Sequence, residues 1–243
     1  MTISEKPRKL YQYVVEALGK RIVSGEFAPG DQLHNEDELC REFEVSRGVV
    51  REATKVLIEK GLIVSRPKIG ARVQPREEWN LFDPEVLSWT YATGDDYRFL
   101  RNMTEIRRVV EAEAARLAAE RADDDHIDAI RLAQNRMAGL LADKNGYEPA
   151  EFIQADLAFH NAVLTASGNE LIAQLGRAMR QALLTGRQID RPDAGAHRMT
   201  LKAHQAILNA VARRDAKAAF DAARRHVDDV WQDIRRKYSE KKQ

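Results

Sequence analysis

The chain has 243 residues, of which 44% are hydrophobic and 32% are charged, and its formal net charge at pH 7 is +1. This balance is typical of a soluble protein with one large domain or two smaller ones. The sequence contains no apolar run of about 18 residues and no apolar secretory segment near its start, so we expect a cytoplasmic protein without a membrane partner. The single cysteine, Cys40, excludes an internal disulfide.

Turn signals divide the first 75 residues into short elements. Apolar residues recur every fourth position between residues 8 and 24, which predicts a helix that ends at Gly25. Asn35, followed three residues later by Glu38, predicts a capping box for a short helix that ends near residue 43. Ser46 is placed to cap the next helix. Two helices joined by a tight turn are therefore expected.

A short hairpin is expected after these helices. Gly61 ends the third helix, and residues 62–65 and 71–73 flank a turn that contains Pro67. Residues 47–76 carry eight Lys and Arg against two acidic residues, a local charge of +6. A basic segment of this kind can contact the phosphates of a nucleic acid.

The chain beyond residue 80 is almost continuously helical in pattern. Breaks fall at turn or cap residues such as Gly94, Gly146 and Gly168. The predicted helices cover about 83–92, 96–121, 124–142, 148–166, 169–188, 196–213 and 216–238. The expected class is mainly α, a winged helix-turn-helix followed by a bundle of six or seven helices.

The N-terminal third resembles the GntR family of winged helix-turn-helix regulators. The resemblance rests on VSRGVVREA at Val45–Ala53, on GLI at Gly61–Ile63 and on Gly70. Three departures leave the operator sequence open. His34-Asn35 replaces the usual Pro-Ser or Pro-Ala, Asp37 stands where a base-contacting arginine is common, and the wing has lost one glycine.

This resemblance implies that the protein binds double-stranded DNA. Arg47 and Arg51 are four residues apart near the start of the second helix of the motif, so both can reach base edges in the major groove. Ser46 and the free amides of that helix suit a phosphate oxygen. The DNA-contacting residues are predicted to be Ser46, Arg47, Gly48, Arg51, Arg66, Lys68 and Gly70.

The C-terminal part resembles the FCD effector domain of the FadR subfamily, a helical domain that senses acids. The resemblance is carried by Glu105-Ile106-Arg107, by DLAFH at Asp156–His160, by ASGN at Ala166–Asn169, by HQAIL at His204–Leu208 and by AARRH at Ala222–His226. Residues 79–89 also resemble the linker of galactonate-type sugar-acid regulators. The predicted domains are 8–75 for DNA binding, 76–94 for the linker and 95–238 for ligand binding.

A metal site is predicted within this domain. Asp156 and His160 share one helix face, and His204 and His226 come from two later helices that a bundle can bring alongside. Three imidazoles and a carboxylate suit a divalent metal, zinc in the first place, with nickel, manganese, iron or cobalt as alternatives.

Two residues are predicted to bind a small carboxylic acid, Arg107 and Asn169. Arg107 is open to another interpretation, a surface arginine paired with Glu111 one helical turn on. The acid is expected to control DNA binding.

The predicted function is a repressor that binds an inverted-repeat operator as a homodimer. Two alternatives remain open from the residues. The C-terminal domain could be a metal-free dimerisation module, or the chain could be a metal-dependent hydrolase or lyase. The enzyme alternative is disfavoured because HExxH, GxSxG and phosphate-binding glycine loops are all absent from the sequence.

Overall fold

The computed structural model describes residues 5–66, 70–92, 96–142, 149–187 and 194–240. The chain forms two compact units, Met1–Asp96 and Tyr97–Gln243. Across the described residues, no helix is both long enough and apolar enough to cross a bilayer.

Unit 1 is a winged helix-turn-helix followed by one further helix. Its elements are α1 (Glu5–Val23), α2 (Glu36–Glu42), α3 (Arg47–Glu59), β1 (Ile63–Arg66), β2 (Gly70–Val73), a 3₁₀ turn (Arg76–Glu78) and α4 (Pro84–Ala92). The predicted capping box is confirmed, because the Glu38 amide donates to Asn35 Oδ1 at 3.0 Å and the Asn35 amide donates to Glu38 Oε2 at 2.8 Å. The strands pair antiparallel, with Ile63 opposite Val73 and Arg66 opposite Gly70.

A single apolar core holds unit 1 together. The apolar stripe of α1 packs against α3, and residues of the hairpin and of α4 complete the same core. Its most deeply buried members include Val14, Leu18, Ile22, Val50, Ala53, Leu57, Leu62 and Val86.

Helix α4 packs against the DNA-binding elements of unit 1. Trp89 lies against Gly19 of α1, where an added Cβ would approach the indole to 2.2 Å. At the end of α3, the buried Lys60 ammonium lies 2.8 Å from Asp83 and 2.7 Å from Glu85. Asp83 also accepts the amide of Val86 in the first turn of α4. The C-terminus of α3 is thus joined directly to the start of α4.

Unit 2 is a helical bundle. Its described helices are α5 (Asp96–Arg121), α6 (Asp124–Ala142), α7 (Pro149–Ala166), α8 (Glu170–Arg187), α9 (Ala194–Ala212) and α10 (Ala216–Glu240). Alanines of α5, α9 and α10 allow the helices to approach closely, and Phe152 and Phe159 of α7 fill the centre. The predicted mainly helical class, with a winged helix-turn-helix before a helical bundle, is confirmed.

Candidate functional site

The start of α3 is an exposed helix N-terminus. Ser46 occupies the N-cap position, but its hydroxyl makes no capping hydrogen bond, unlike the cap predicted from the sequence. The hydroxyl and the first amides of α3 therefore stay available to a phosphate oxygen. Gly48 is exposed beside them, and the space at its α-carbon would admit a methyl group.

The two predicted base-reading arginines are paired with carboxylates of α2. Arg47 Nη2 lies 2.8 Å from Asp37 Oδ1. Arg51 Nε lies 3.0 and 3.1 Å from the two oxygens of Glu36. All four side chains are exposed. These pairs could not be predicted from the sequence, because residues on two different helices meet only when the turn between them folds.

The predicted wing contacts fall partly outside the described residues. The structure does not describe Lys68 or the side chain of Arg66, so the DNA contacts of these two residues remain predictions. Gly70 is described and has φ +88°, a left-handed conformation that favours glycine. A side chain at this first position of β2 would therefore be strained.

Three helices of unit 2 bring the predicted metal ligands together. Asp156 and His160 project from α7, His204 from α9 and His226 from α10. His204 Nε2 lies 3.2 Å from His226 Nε2, and Asp156 Oδ1 lies 3.6 Å from His204 Nε2 and 4.0 Å from His160 Nε2. One ring nitrogen from each histidine lies within 4.8 Å of the others. Asp156, His204 and His226 are buried, and His160 is nearly so.

These donors fit a first-row divalent metal. Metal–ligand bonds of about 2.0 to 2.1 Å place the ligand atoms of a tetrahedral site about 3.3 Å apart. The 3.2 Å between the Nε2 atoms of His204 and His226, and the 3.6 Å between Asp156 Oδ1 and His204 Nε2, are close to this value. The two Nε2 atoms at 3.2 Å must share a proton or both offer lone pairs to a cation. Within the described residues, His160 Nε2 has no hydrogen-bond partner although it is buried. A buried nitrogen of this kind is costly unless something binds it.

A second carboxylate orients His160. Glu111 Oε2 lies 3.1 Å from His160 Nδ1, which makes Nδ1 the protonated nitrogen and leaves the Nε2 lone pair facing the other ligands. Glu111 in turn accepts from Arg107 at 2.6 and 3.3 Å. Glu111 was not predicted as a site residue, although its spacing of four from Arg107 was the available signal.

Burial and charge keep this group in defined protonation states. Burial alone would raise the pKa of Glu111, but Arg107 and His160 outweigh it and hold that pKa well below its ordinary value. Burial, together with His160 and Arg107, lowers the pKa of His226 to about 3. Glu111 is therefore ionised and His226 is neutral at physiological pH, the forms needed for orientation and for coordination.

The two predicted effector residues have defined partners. Arg107 is paired with Glu111 as the alternative interpretation held, but the pair is buried instead of lying on the surface. It uses Nε and Nη2, which leaves Nη1 for another acceptor. Asn169 caps α8, where Oδ1 accepts the amides of Leu171 and Ile172. Its amide nitrogen is the part that could contact an effector.

A narrow pocket adjoins His160. It is lined by Glu111, Phe159, His160, Val163, Leu164, Ile207 and Ala223, and has room for about one water molecule. Its lining is mostly apolar, with polar groups confined to the Glu111 and His160 side.

A winged helix-turn-helix with exposed arginines at the start of its recognition helix, α3, is typical of a DNA-binding transcription regulator. Residues 10–73 match the family model described as "Bacterial regulatory proteins, gntR family", and residues 102–229 match that of the FCD domain. The galactonate operon transcriptional repressor of Escherichia coli K12 is 35% identical, over 92% of this chain and 93% of its own length. The transcriptional repressor NanR of Klebsiella aerogenes is 30% identical, over 92% and 84%. The solved structure of the Listeria monocytogenes protein Lar shares the fold, with a TM-score of 0.61 at 16% identity over 97% of this chain and 99% of that one.

The chain therefore belongs to the gntR family of bacterial regulatory proteins, in its FadR-type subfamily with an FCD domain. Its relatives are transcription regulators, which places this protein in that class and not among enzymes.

Proposed function

We propose that the protein is a repressor that binds an inverted-repeat operator as a homodimer and releases it when a small carboxylic acid binds in unit 2. The observation that carries the ligand part of this proposal is the buried set formed by Asp156, His160, His204 and His226, with Glu111 behind His160. Asp156, His160, His204 and His226 would hold one divalent metal, zinc in the first place or nickel, manganese, iron or cobalt. The metal would offer a coordination position to a carboxylate or hydroxyl oxygen of the acid.

The charges around this set favour an anion. The negative charge of Glu111 is balanced by Arg107, and a histidine coordinates a metal in its neutral form, so with a metal bound the carboxylate of Asp156 is the remaining protein charge. A divalent cation would leave the group one unit positive. In a buried site an anionic ligand neutralises that charge, which makes a monocarboxylic acid the best match. Arg107 Nη1 and the amide of Asn169 are proposed to contact the same ligand.

A sugar acid is the first effector class to test. The E. coli relative at 35% identity is named for the galactonate operon, and galactonate carries both a carboxylate and hydroxyl groups. The pocket beside His160 has room for about one water molecule. An acid of this size would therefore require the side chains of the pocket to move, a structural change that could pass to the DNA-binding unit.

A homodimer follows from the way a winged helix reads DNA. One motif contacts a half-site, and two-fold symmetry supplies the second motif at the spacing of one helical turn of DNA. Light scattering of the protein with and without an operator duplex would measure this state directly.

The experiment uses a duplex that the wild-type protein selects from a random-sequence pool. Fluorescence anisotropy then follows the complex as galactonate, other sugar acids, simple carboxylates and the uncharged sugar galactose are added. We expect an acid to release the duplex from metal-loaded protein and to raise its melting temperature, while galactose does neither. A ligand at one hundred times its Kd adds about 2.7 kcal/mol to the free energy of unfolding.

Chelated protein is the matched control. It should bind the duplex but respond weakly to the acid. A protein that holds no metal when isolated or after metal is added would favour the dimerisation-module alternative. Selection of no DNA sequence would contradict the DNA-binding part of the proposal.

A further inference from the structure

Two acidic residues of α2 face the arginines proposed to read DNA. Glu36 and Asp37 lie in the first turn of α2, and Arg47 and Arg51 lie in the first two turns of α3. Between the helices, Glu44 adopts φ +53° in a tight turn that folds one N-terminus beside the other. The contacts are 2.8 Å for Asp37 with Arg47 and 3.0 Å for Glu36 with Arg51.

These pairs are not needed to hold the fold together. Arg47 is 65% exposed and Asp37 is 61% exposed, and ion pairs at that exposure contribute little to stability because water and salt screen them. The capping box of α2 uses Asn35 and Glu38, so Asp37 is not its capping residue. Since Asp37 contributes little to stability or capping, we infer that its carboxylate acts on the exposed surface that it shares with Arg47.

The two pairs use different parts of the guanidinium groups. Arg51 contacts Glu36 through Nε, so both terminal nitrogens stay free for a bidentate contact with a guanine edge. Arg47 contacts Asp37 through Nη2, which is one of those two terminal nitrogens. Glu36 is thus compatible with base reading by Arg51, whereas Asp37 competes with DNA for Arg47.

We propose that Asp37 is a specificity-determining residue, an inference that rests on the proposed DNA-binding function. On DNA of the wrong sequence, its carboxylate keeps Arg47 paired and repels phosphate oxygens and the acceptor edge of guanine. On the operator, the carboxylate accepts a hydrogen bond from a base that presents an amino group in the major groove, cytosine N4 or adenine N6. Arg47 is then held beside it in a reading position. The acidic residue thereby lowers binding to non-specific DNA more than binding to the operator.

The test compares Asp37→Asn with wild type on two duplexes of equal length, the sequence selected by wild type and a scrambled version of it. Glu16→Gln is the matched control, since it removes the same charge from an exposed pair with Lys20 within α1. Anisotropy is measured across a range of salt concentrations. Selection from the random pool is then repeated with Asp37→Asn, and circular dichroism checks that each variant is folded.

We expect Asp37→Asn to bind the scrambled duplex about threefold to tenfold more tightly. Its salt dependence on that duplex should steepen by about one unit, because a released Arg47 gains about one phosphate contact. The sequences that Asp37→Asn selects from the random pool should show no base preference at one position of each half-site where wild type has one. Glu16→Gln should behave as wild type.

Unchanged discrimination, salt slope and selected sequence in a folded Asp37→Asn variant would overturn the role of Asp37 while leaving DNA binding intact. A wild-type protein that selects no sequence would instead contradict the proposed function, and with it this inference. The two failures are distinguished by the wild-type selection alone.

Discussion

Glu111 Oε2 lies 3.1 Å from His160 Nδ1, and this contact between α5 and α7 determines which nitrogen of His160 faces the other histidines. Because Nδ1 carries the proton toward the carboxylate, Nε2 presents its lone pair to the side where Asp156, His204 and His226 lie. The contact is characteristic of a metal ligand and its orienting carboxylate.

The first prediction concerns this carboxylate. Glu111→Gln should weaken metal binding about 10-fold to 100-fold, because a neutral amide orients His160 poorly and lowers its basicity. Competition with a chromophoric chelator measures the affinity. Glu113→Gln is the control, since Glu113 lies on the same helix and forms a partly exposed pair with Arg116. Equal metal affinity in the two variants would argue that Glu111 serves only to pair Arg107.

The second prediction concerns the recognition helix. Arg47→Ala and Arg51→Ala should each weaken binding to the selected operator by about 1 to 3 kcal/mol if they contact bases. Both side chains are exposed, so the melting temperature should hardly change. Lys20→Ala, which removes an exposed positive charge from α1, should bind nearly as wild type. Footprints and affinities identical to wild type in both arginine variants would contradict base reading by α3.

The third prediction concerns the wing. Lys68→Ala, and likewise Arg66→Ala, should lower affinity for all duplexes alike and flatten the salt dependence by about one unit per lost phosphate contact. Anisotropy titrations on the selected and scrambled duplexes give both quantities. If Lys68→Ala changed the preferred sequence at an unchanged salt slope, the wing would be reading bases and this assignment would be wrong.

The fourth prediction concerns the ion pair between α3 and α4. Lys60→Met should lower the free energy of unfolding by about 1 to 3 kcal/mol, because Asp83 loses a charged hydrogen-bond partner in a partly buried position. Urea titration measures the difference, and Lys55→Met, at a well-exposed lysine of the same helix, is the control.

The same variant has a defined pH dependence. Burial alone would lower the pKa of Lys60, but its hydrogen bonds to Asp83 and Glu85 outweigh burial and raise it. Because the pKa of Lys60 is raised in the folded protein, the ion pair contributes its full stabilisation below the pKa of lysine in the unfolded chain, about 10.4. This stabilisation is lost as the pH rises through the pKa of Lys60 in the folded protein. The difference between wild type and Lys60→Met should therefore be constant across the neutral range and shrink only in strong alkali. A difference that disappears near neutral pH would contradict the ion-pair account.

Helical periodicity, caps and turn residues were enough to predict most of the fold. The bounds of α5 and α6 agree with the sequence because Asp123–Asp125 and the apolar repeat mark them locally. The prediction that His160, His204 and His226 converge rested on a family resemblance. In the structure, one ring nitrogen from each of the three lies within 4.8 Å of the others. Ser46 was expected to cap α3 through its side chain, and the structure shows no such bond.

The contacts that the sequence could not predict join residues far apart in the chain or depend on burial. Arg107 and Glu111 are a common pair on a helix surface, and only the packed bundle makes them a buried support for His160. Glu36 and Asp37 meet the arginines of α3 across a turn whose geometry is set by Glu44. Local pattern carries no information about either arrangement.

We propose that one buried metal site in unit 2 controls DNA binding. Its most direct measurement is the metal content of purified wild type, His204→Ala and His160→Ala by mass spectrometry, together with the release of the selected duplex by the active acid. His126→Ala, at a partly exposed histidine of α6, is the matched control. We expect wild type and His126→Ala to hold about one metal per chain and to respond to the acid. His204→Ala and His160→Ala should bind the duplex but lose both the metal and the response. Full metal content with normal release by the acid in folded His204→Ala and His160→Ala would contradict the account.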